Sequence, residues 1–386
     1  MGNKVNLVFA LVMAAALSAS AAAEGTLGVR AMSYNIRCVN SSDTGDTAWD
    51  SRKAALCDLV KSIEPDVLGF QEVRSAQYSY LKSQFSDYTF IGAMCDSTDS
   101  AEATPVAFLT SWFALLDSGT FWLSATPNVV GSKSWGNGIE ASDLPRICTW
   151  ALLRDRTTGG VFCFASTHLD LKEGPRLAGM RLILSALVAK YEAVGVPVVL
   201  VGDMNALETE TSMVEAAEVM QDSLLVSKTA PTGPWRTFNG FTWQGSEVSC
   251  ADALANYTAE ERTAAASTLG KRIDFIFSSF GTEVEAFATC NDARPGKNYY
   301  PSDHYPIVAD LRMSCENNLY SGKVRVEIDK TIPYVGYGRY VLTKGANLAN
   351  DDNLEFVLPD WVQRAAVEDG EIVIYTKPDP FRIHLR

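Results

Sequence analysis

The chain reads as an α/β protein built on two mixed β-sheets packed face to face, with helices on the outside. Three observations predict this. Apolar runs of strand length recur between Gly28 and Met313. Stretches with apolar residues three and four apart, the helical spacing, alternate with them. Several neighbouring strands are joined by turns rather than helices, so the sheets cannot be purely parallel and pack instead as a sandwich. At 386 residues the chain can hold one large domain and something smaller.

The elements follow in order. After "MGNK" comes an unbroken apolar run, Val5 to Leu17, and then small residues from Ser18 to Ala23. Ala21 and Ala23 before Glu24 fit the small-residue cleavage rule, so residues 1–23 are expected to be a secretory signal and the protein to be exported, periplasmic or extracellular. The run is shorter than the roughly 20 residues a spanning helix needs. "GVRAMSYNIRC" is β-like, Asp50 to Ile63 helical, and "EPDVLGFQEV" a buried strand with Gln71 and Glu72 at its tip. Ser75 to Phe85 reads as a helix, followed by short strands in "YTFIGA", "PVAFLT", "WFALL" and "GTFWLS". Beyond a Gly, Ser, Asn and Trp-rich loop from Thr126 to Leu144, "RICTWALLRD" and "GVFCFASTHLD" form a hairpin across "RDRTTGG". Their nearly continuous apolar character suits inner strands. Pro175 opens a helix with Leu177, Met180, Leu184, Leu187 and Tyr191 on one side. "VPVVLVGDMNA" is a buried strand, a long Ala/Thr/Ser-rich section reads as irregular, and "KRIDFIFSS" and "HYPIVADLRM" are the last two strands, with Asp310 at the exit.

The texture changes at Cys315. "KVRVEID", "GRYVLTKG", "LEFVLPD" and "GEIVIYTK" are β-like runs without helices between them, so residues 315–386 form a small β-rich extension to a main domain of residues 24–314. An exported protein can use its eight cysteines in disulfides. Cys57 sits in a helical pattern as core, Cys148 and Cys163 lie on paired strands, and Cys250 and Cys290 stand in loop-like surroundings where they could bridge.

The net charge of −13 repels polyanions at long range and disfavours indiscriminate duplex binding, although cations and a local basic rim can invert the field inside a cleft. No "GxSxG" supports a serine hydrolase, no "GxxxxGK" a phosphate loop, and no cysteine–histidine cage a structural zinc. What stands out is a set of polar residues at strand ends: Asn35, Glu72, His168, Asp170, Asp203, Asn205, Asp274, and the adjacent Asp303 and His304. Any one of them is ordinary turn chemistry. Together they include two of the three histidines, at the strand ends where α/β sheets place their sites. Hydrolysis of a phosphate ester needs these types: carboxylate oxygens for a hard cation, a group to orient or deprotonate water, and donors for the phosphoryl oxygens. The remaining histidine, His384, reads as structural or exposed.

The ordered set "SYNIR", "DVLGFQEV", "STHLD", "VGDMNA", "RIDFIF" and "SDHYPI" resembles the endonuclease/exonuclease/phosphatase superfamily, with the deoxyribonuclease-I-like fold. Within it, "FWLS" and "RICTWA" resemble an exported bacterial branch related to deadenylase-type exonucleases. The resemblance implies a four-layer α/β sandwich and a phosphoesterase using Mg²⁺, or Mn²⁺ in its place. It also implies roles. Glu72 is the principal metal ligand, with Asn35 beside it and Asp303 near the metal. Asp203 orients or deprotonates the water, Asn205 holds the phosphate, and His304, oriented by Asp274, contacts the scissile phosphate. His168 matches the second histidine of the nuclease and sphingomyelinase branches; the base-excision nucleases, which use a tyrosine in a comparable role, are a different branch. Arg176 is assigned either to the phosphate or to a solvated helix start.

The reading is therefore hydrolysis of a phosphodiester, in nucleic acid or a small molecule. A sphingomyelinase-like enzyme and an inositol- or sugar-phosphate phosphatase are the alternatives, and a catalytically idle surface-binding module is the competing class. Trp112, Phe121, Trp122 and Trp135 could stack a base or sugar, but at their spacing they read as core. The partner of residues 315–386 is not legible.

Overall fold

The computed structural model describes residues 26–242, 247–291 and 300–314, and in the C-terminal part residues 324–327, 339–341, 354–358, 362–368 and 371–376. The apolar N-terminal run, Cys315 and His384 lie outside the described residues. The first half of the main unit runs β1 (Thr26–Asn35), α1 (Trp49–Ile63), β2 (Val67–Gln71), α2 (Ser75–Gln84), β3 (Tyr88–Ile91) and β4 (Val106–Leu109). Then come β5 (Phe113–Trp122), β6 (Ile147–Asp155), β7 (Val161–His168), α3 (Glu173–Ile183), a π turn over Leu184–Val188, α4 (Ala189–Glu192) and β8 (Val198–Asp203). The remainder is α5 (Thr211–Val219), β9 (Met220–Asp222), α6 (Cys250–Asn256), α7 (Ala259–Ala264), α8 (Ala266–Leu269), β10 (Asp274–Ser279), β11 (Glu283–Thr289) and β12 (Ile307–Ser314).

Twelve strands make two six-stranded sheets, ordered β11-β12-β1-β2-β4-β3 and β5-β6-β7-β8-β10-β9. Each sheet has one parallel pair at its centre, β1 with β2 and β7 with β8, and antiparallel pairs elsewhere. This is the mixed sandwich the turn-joined strands predict. The period-2 alternation of strands explains its layers. From β1, Ala31 enters the apolar core that also holds Val67, Phe108, Phe164, Val199, Val201 and Ile276 of the two sheets. Met32 and Tyr34 face the other way and pack with Leu56, Leu59 and Val60 of α1. Helix α1 stops at Glu64, which adopts a left-handed conformation, φ 52°, directly before Pro65. The sheets approach closely at Gly69, where a Cβ would lie 2.6 Å from Ser166 Oγ and Val201 Cγ2. Beside it a small polar seam links the layers: Gln71 Nε2 donates to Ser166 Oγ at 3.1 Å.

Several expectations need correction. "WFALL" and "GTFWLS" are one strand, β5, with an irregularity between Leu115 and Asp117. The Ala/Thr/Ser-rich section carries α5, β9 and α6 to α8, because helix start signals such as the Thr258–Glu261 capping box lie within it. Strand β11 was not anticipated; its burial alternates only loosely. Cys250 does not bridge Cys290: it lies inside α6, and its thiol donates to the Pro234 carbonyl at 3.1 Å. Asp310 is not the exit of its strand but lies within β12, paired with Arg30 at 2.7 Å. Trp122 is core as expected, whereas Trp112 is half exposed.

Residues Ser321–Arg386 belong to a compact unit separate from Ala22–Tyr320. Its described strands are β13 (Val324–Glu327), β14 (Arg339–Val341), β15 (Leu354–Val357), β16 (Val362–Glu368) and β17 (Glu371–Thr376). They form a two-stranded sheet, β13-β15, and a three-stranded one, β14-β17-β16.

Candidate active site

Strand register brings the chemistry together. β7 pairs with β8 so that His168 stands beside Asp203, and β10 pairs with β8 so that Asp274 stands on its other side. Three reactive side chains thus form one row across three adjacent strands of the second sheet. In the first sheet Asn35 pairs with Gln71, and Glu72 follows at the tip of β2. The Asn35 amide joins the sheets: Nδ2 donates to Glu72 Oε1 at 3.1 Å and to Asp203 Oδ2 at 3.0 Å.

The same Asp203 oxygen is 3.4 Å from His168 Nε2 and 3.7 Å from His304 Nε2, while Asp203 Oδ1 accepts the Asn205 backbone N–H at 2.9 Å. On its other face His304 Nδ1 lies 2.8 Å from Asp274 Oδ2. Asp274 is held by the Thr237 hydroxyl, which accepts its backbone N–H at 3.1 Å, and the Asp274 Oδ1 atom is buried without a partner. Glu72 Oε2 accepts the Cys38 backbone N–H at 2.9 Å. Glu72 and Asn205 both have left-handed backbones, φ 62° and 48°. Neither is glycine, so the surrounding structure holds these strained positions.

The site is electrostatically divided. Burial opposes the charge on Glu72, yet His168, the Cys38 N–H, His304 and Asn35 together hold its carboxyl down at about 2. Asp203 is pushed up to about 7 by burial and by the Asp274 carboxylate, against the pull of His304 and the Asn205 N–H. Burial and the positive charge of Arg146 push His168 well below the ordinary imidazole range, against the opposing pull of the Glu72 carboxylate. For His304 burial works the same way, but the Asp274 and Asp203 carboxylates outweigh it and hold the ring as imidazolium above that range.

Of the residues singled out from the sequence, Asn35, Glu72, His168, Asp203, Asp274 and His304 converge, with Asn205 at their edge, its Nδ2 donating to the Leu169 carbonyl at 3.1 Å. Asp303 stands slightly apart: its carboxylate is 3.7 Å from Arg37 Nη1 and its carbonyl accepts the Asn239 and Gly240 N–H groups. Arg176 is committed elsewhere, to Glu210 and the Leu171 carbonyl, so neither assignment made for it holds. It is buried rather than solvated because Glu210, in the loop ahead of α5, lies across it.

Other residues, not marked by any motif in the sequence, also shape the site. Arg52 of α1, fully buried, donates to the Ile36, Arg37 and Pro301 carbonyls and so pins the segments carrying Asn35 and His304. Ser302 Oγ donates to the Asn35 carbonyl at 2.7 Å, and the Phe238 ring meets His304 edge-on at 5.2 Å. The one sequence signal for Thr237 and Phe238 is "TFNG", a turn-like stretch inside the Ala/Thr/Ser-rich section.

Residues 32–304 match the model of the Endonuclease/Exonuclease/phosphatase family. The chain belongs to that family. Its members are hydrolases acting on phosphoester bonds. A family protein from Bacteroides thetaiotaomicron is 26% identical, covering 77% of this chain and 99% of its own, with a TM-score of 0.63. A mannosyl-6-phosphatase from Bacteroides thetaiotaomicron VPI-5482 is 28% identical over 73% of this chain and 99% of its own, with a TM-score of 0.61. The human Nocturnin catalytic domain shares the fold at 20% identity, over 75% of this chain and 97% of its own, with a TM-score of 0.52. No curated protein matches the sequence.

The donor set suits a hard cation. Ligand atoms of Glu72, His168 and Asp203 lie within 4.8 Å of one another, as do those of Asp203, Asp274 and His304, and those of Cys38, Glu72 and Glu102. Carboxylate oxygens dominate around Glu72 and Asp203, the donors that a hard divalent cation takes. Among the described residues no helix is long and apolar enough to cross a membrane.

Proposed function

We propose that the protein is an exported, Mg²⁺-dependent phosphoester hydrolase in which water attacks the phosphorus of a small substrate, Mn²⁺ serving in place of Mg²⁺. The observation that carries this reading is the row His168–Asp203–Asp274, closed by His304 and joined to Glu72 through Asn35. Glu72, ionised well below neutral pH, would hold the cation with Asn35 beside it and Asp303 nearby. A bound cation offsets negative charge on the phosphoryl oxygens and lowers the pKa of coordinated water. Asp203, with its pKa near neutrality, orients the attacking water and receives its proton. His304, held as imidazolium by Asp274 at Nδ1, presents Nε2–H to a phosphoryl oxygen, and His168 and the Asn205 amide add donors.

The sequence points first to a phosphodiester in nucleic acid or a small molecule. The net charge of −13 favours the small molecule over a long polyanion. Similarity to a mannosyl-6-phosphatase supports a second reading, hydrolysis of a phosphorylated sugar. Export rests on the apolar run before Ala23, and protein recovered outside the cytoplasm should begin at Glu24.

The test is hydrolysis of bis(para-nitrophenyl) phosphate and para-nitrophenyl phosphate with Mg²⁺, with EDTA, and with Mg²⁺ restored. Loss on chelation and recovery on Mg²⁺ addition are expected. No hydrolysis of either ester, with no Mg²⁺ or Mn²⁺ binding by calorimetry, would return the protein to the class of binding modules.

A further inference from the structure

Arg146 immediately precedes β6, and its carbonyl accepts the Leu123 N–H at 2.7 Å. Because Cys148 pairs with Thr167, continuing the antiparallel register sets Ile147 opposite His168 and Arg146 one step beyond it, opposite Leu169. The residue is more than nine-tenths buried, and its Nε atom is enclosed without a hydrogen-bond partner. Among the described residues its guanidinium has no ion pair either, in contrast to Arg176, Arg262 and Arg272, each buried against a carboxylate. Its charge is felt by His168, by Glu102, which lies close to Glu72, and by Cys95.

A buried cation without a counterion is costly, and the folded chain carries the cost only where something compensates it. Among the described residues Arg146 has neither the carbonyl partners that satisfy Arg52 nor an ion pair with Glu102, which feels its charge, so an anion arriving from outside would supply the missing partner. We propose that Arg146 grips the substrate's phosphate and selects phosphate monoesters. The guanidinium is a planar fork that takes two oxygens of one phosphate at once. A diester has only two non-ester oxygens, so an arginine holding both leaves neither for His304. A monoester has a third and carries an additional negative charge. The proposal rests on the phosphoester-hydrolase reading for its catalytic arm and narrows that reading toward the phosphorylated-sugar class.

Wild type, Arg146→Gln and Arg146→Lys are compared in two assays. In the first, KM and kcat are measured with para-nitrophenyl phosphate and with bis(para-nitrophenyl) phosphate in Mg²⁺. In the second, orthophosphate binding is measured by calorimetry, which requires no turnover. Arg146→Gln should weaken orthophosphate binding and raise KM for the monoester by at least about tenfold, the scale of a lost charge-assisted hydrogen bond, with a smaller change for the diester. Arg146→Lys, which keeps the charge and loses the fork, should fall between the two. A structural role would instead lower the melting temperature and affect both esters alike. Orthophosphate binding unchanged in Arg146→Lys and in folded Arg146→Gln overturns the proposal. Absence of turnover in wild type, with orthophosphate binding still dependent on Arg146, would overturn the catalytic reading and leave the anion site standing.

Discussion

Asp203 and His304 share an environment but are driven in opposite directions by it. Burial raises a carboxyl and lowers an imidazole, and the deciding difference is the Asp274 carboxylate, which repels charge on Asp203 and attracts it on His304. Replacing Asp203 by Asn should reduce hydrolysis by about 10²- to 10⁴-fold with the melting temperature nearly retained, since the amide keeps the shape and loses the proton acceptor. Replacing Asp274 by Asn should lower the His304 pKa, read from its ring resonances in an NMR titration of metal-free protein. The sign of the stability effect follows. A raised imidazole pKa in the folded state contributes stability fully below the unfolded value of about 6.5, and that contribution disappears as pH climbs through the folded value. The melting-temperature gap between wild type and Asp274→Asn should therefore be widest at acidic pH and close in alkali. A gap independent of pH would show that Asp274 acts through packing alone.

At the scale of elements, the site depends on two strand registers and on the distance between the sheets. A one-residue slip of β8 would turn Asp203 to the opposite face and replace it with Gly202 or Met204. The sheet spacing is set near Gly69, where Ser166 and Val201 leave no room for a side chain. Gly69→Val should force the layers apart, costing about 1–3 kcal/mol in denaturant unfolding and reducing activity further, because Asn35 and Glu72 ride on one sheet and His168 and Asp203 on the other. Wild-type activity in Gly69→Val would mean that the sheets adjust without moving the site.

At the scale of the whole molecule, every residue assigned to the site lies within Ala22–Tyr320, and the strands from Val324 onward belong to a separate unit. Removing residues 321–386 should leave kcat/KM for a small ester within about twofold, as expected for a domain with its own core. A larger loss would assign the C-terminal unit a part in the reaction.

Much of the site was legible because phosphate chemistry restricts residue types and because strand ends advertise themselves as apolar runs stopped by polar residues. Asn35, Glu72, His168, Asp203, Asn205, Asp274 and His304 were all found that way. The layered fold was legible for a related reason, since strand and helix spacings are local properties. Helices α5 to α8 were hidden by Ala, Thr and Ser, which mark neither a core face nor a strand strongly. Partners were not legible at all. Arg146 and Arg176 are both arginines at the start of an element near His168, and nothing in their neighbours separates them. The folded chain lays Glu210 against Arg176 and no carboxylate within ion-pair distance of Arg146. Which charge is neutralised within the protein, and which is left for a ligand, depends on packing between distant segments, and so only the tertiary structure decided it.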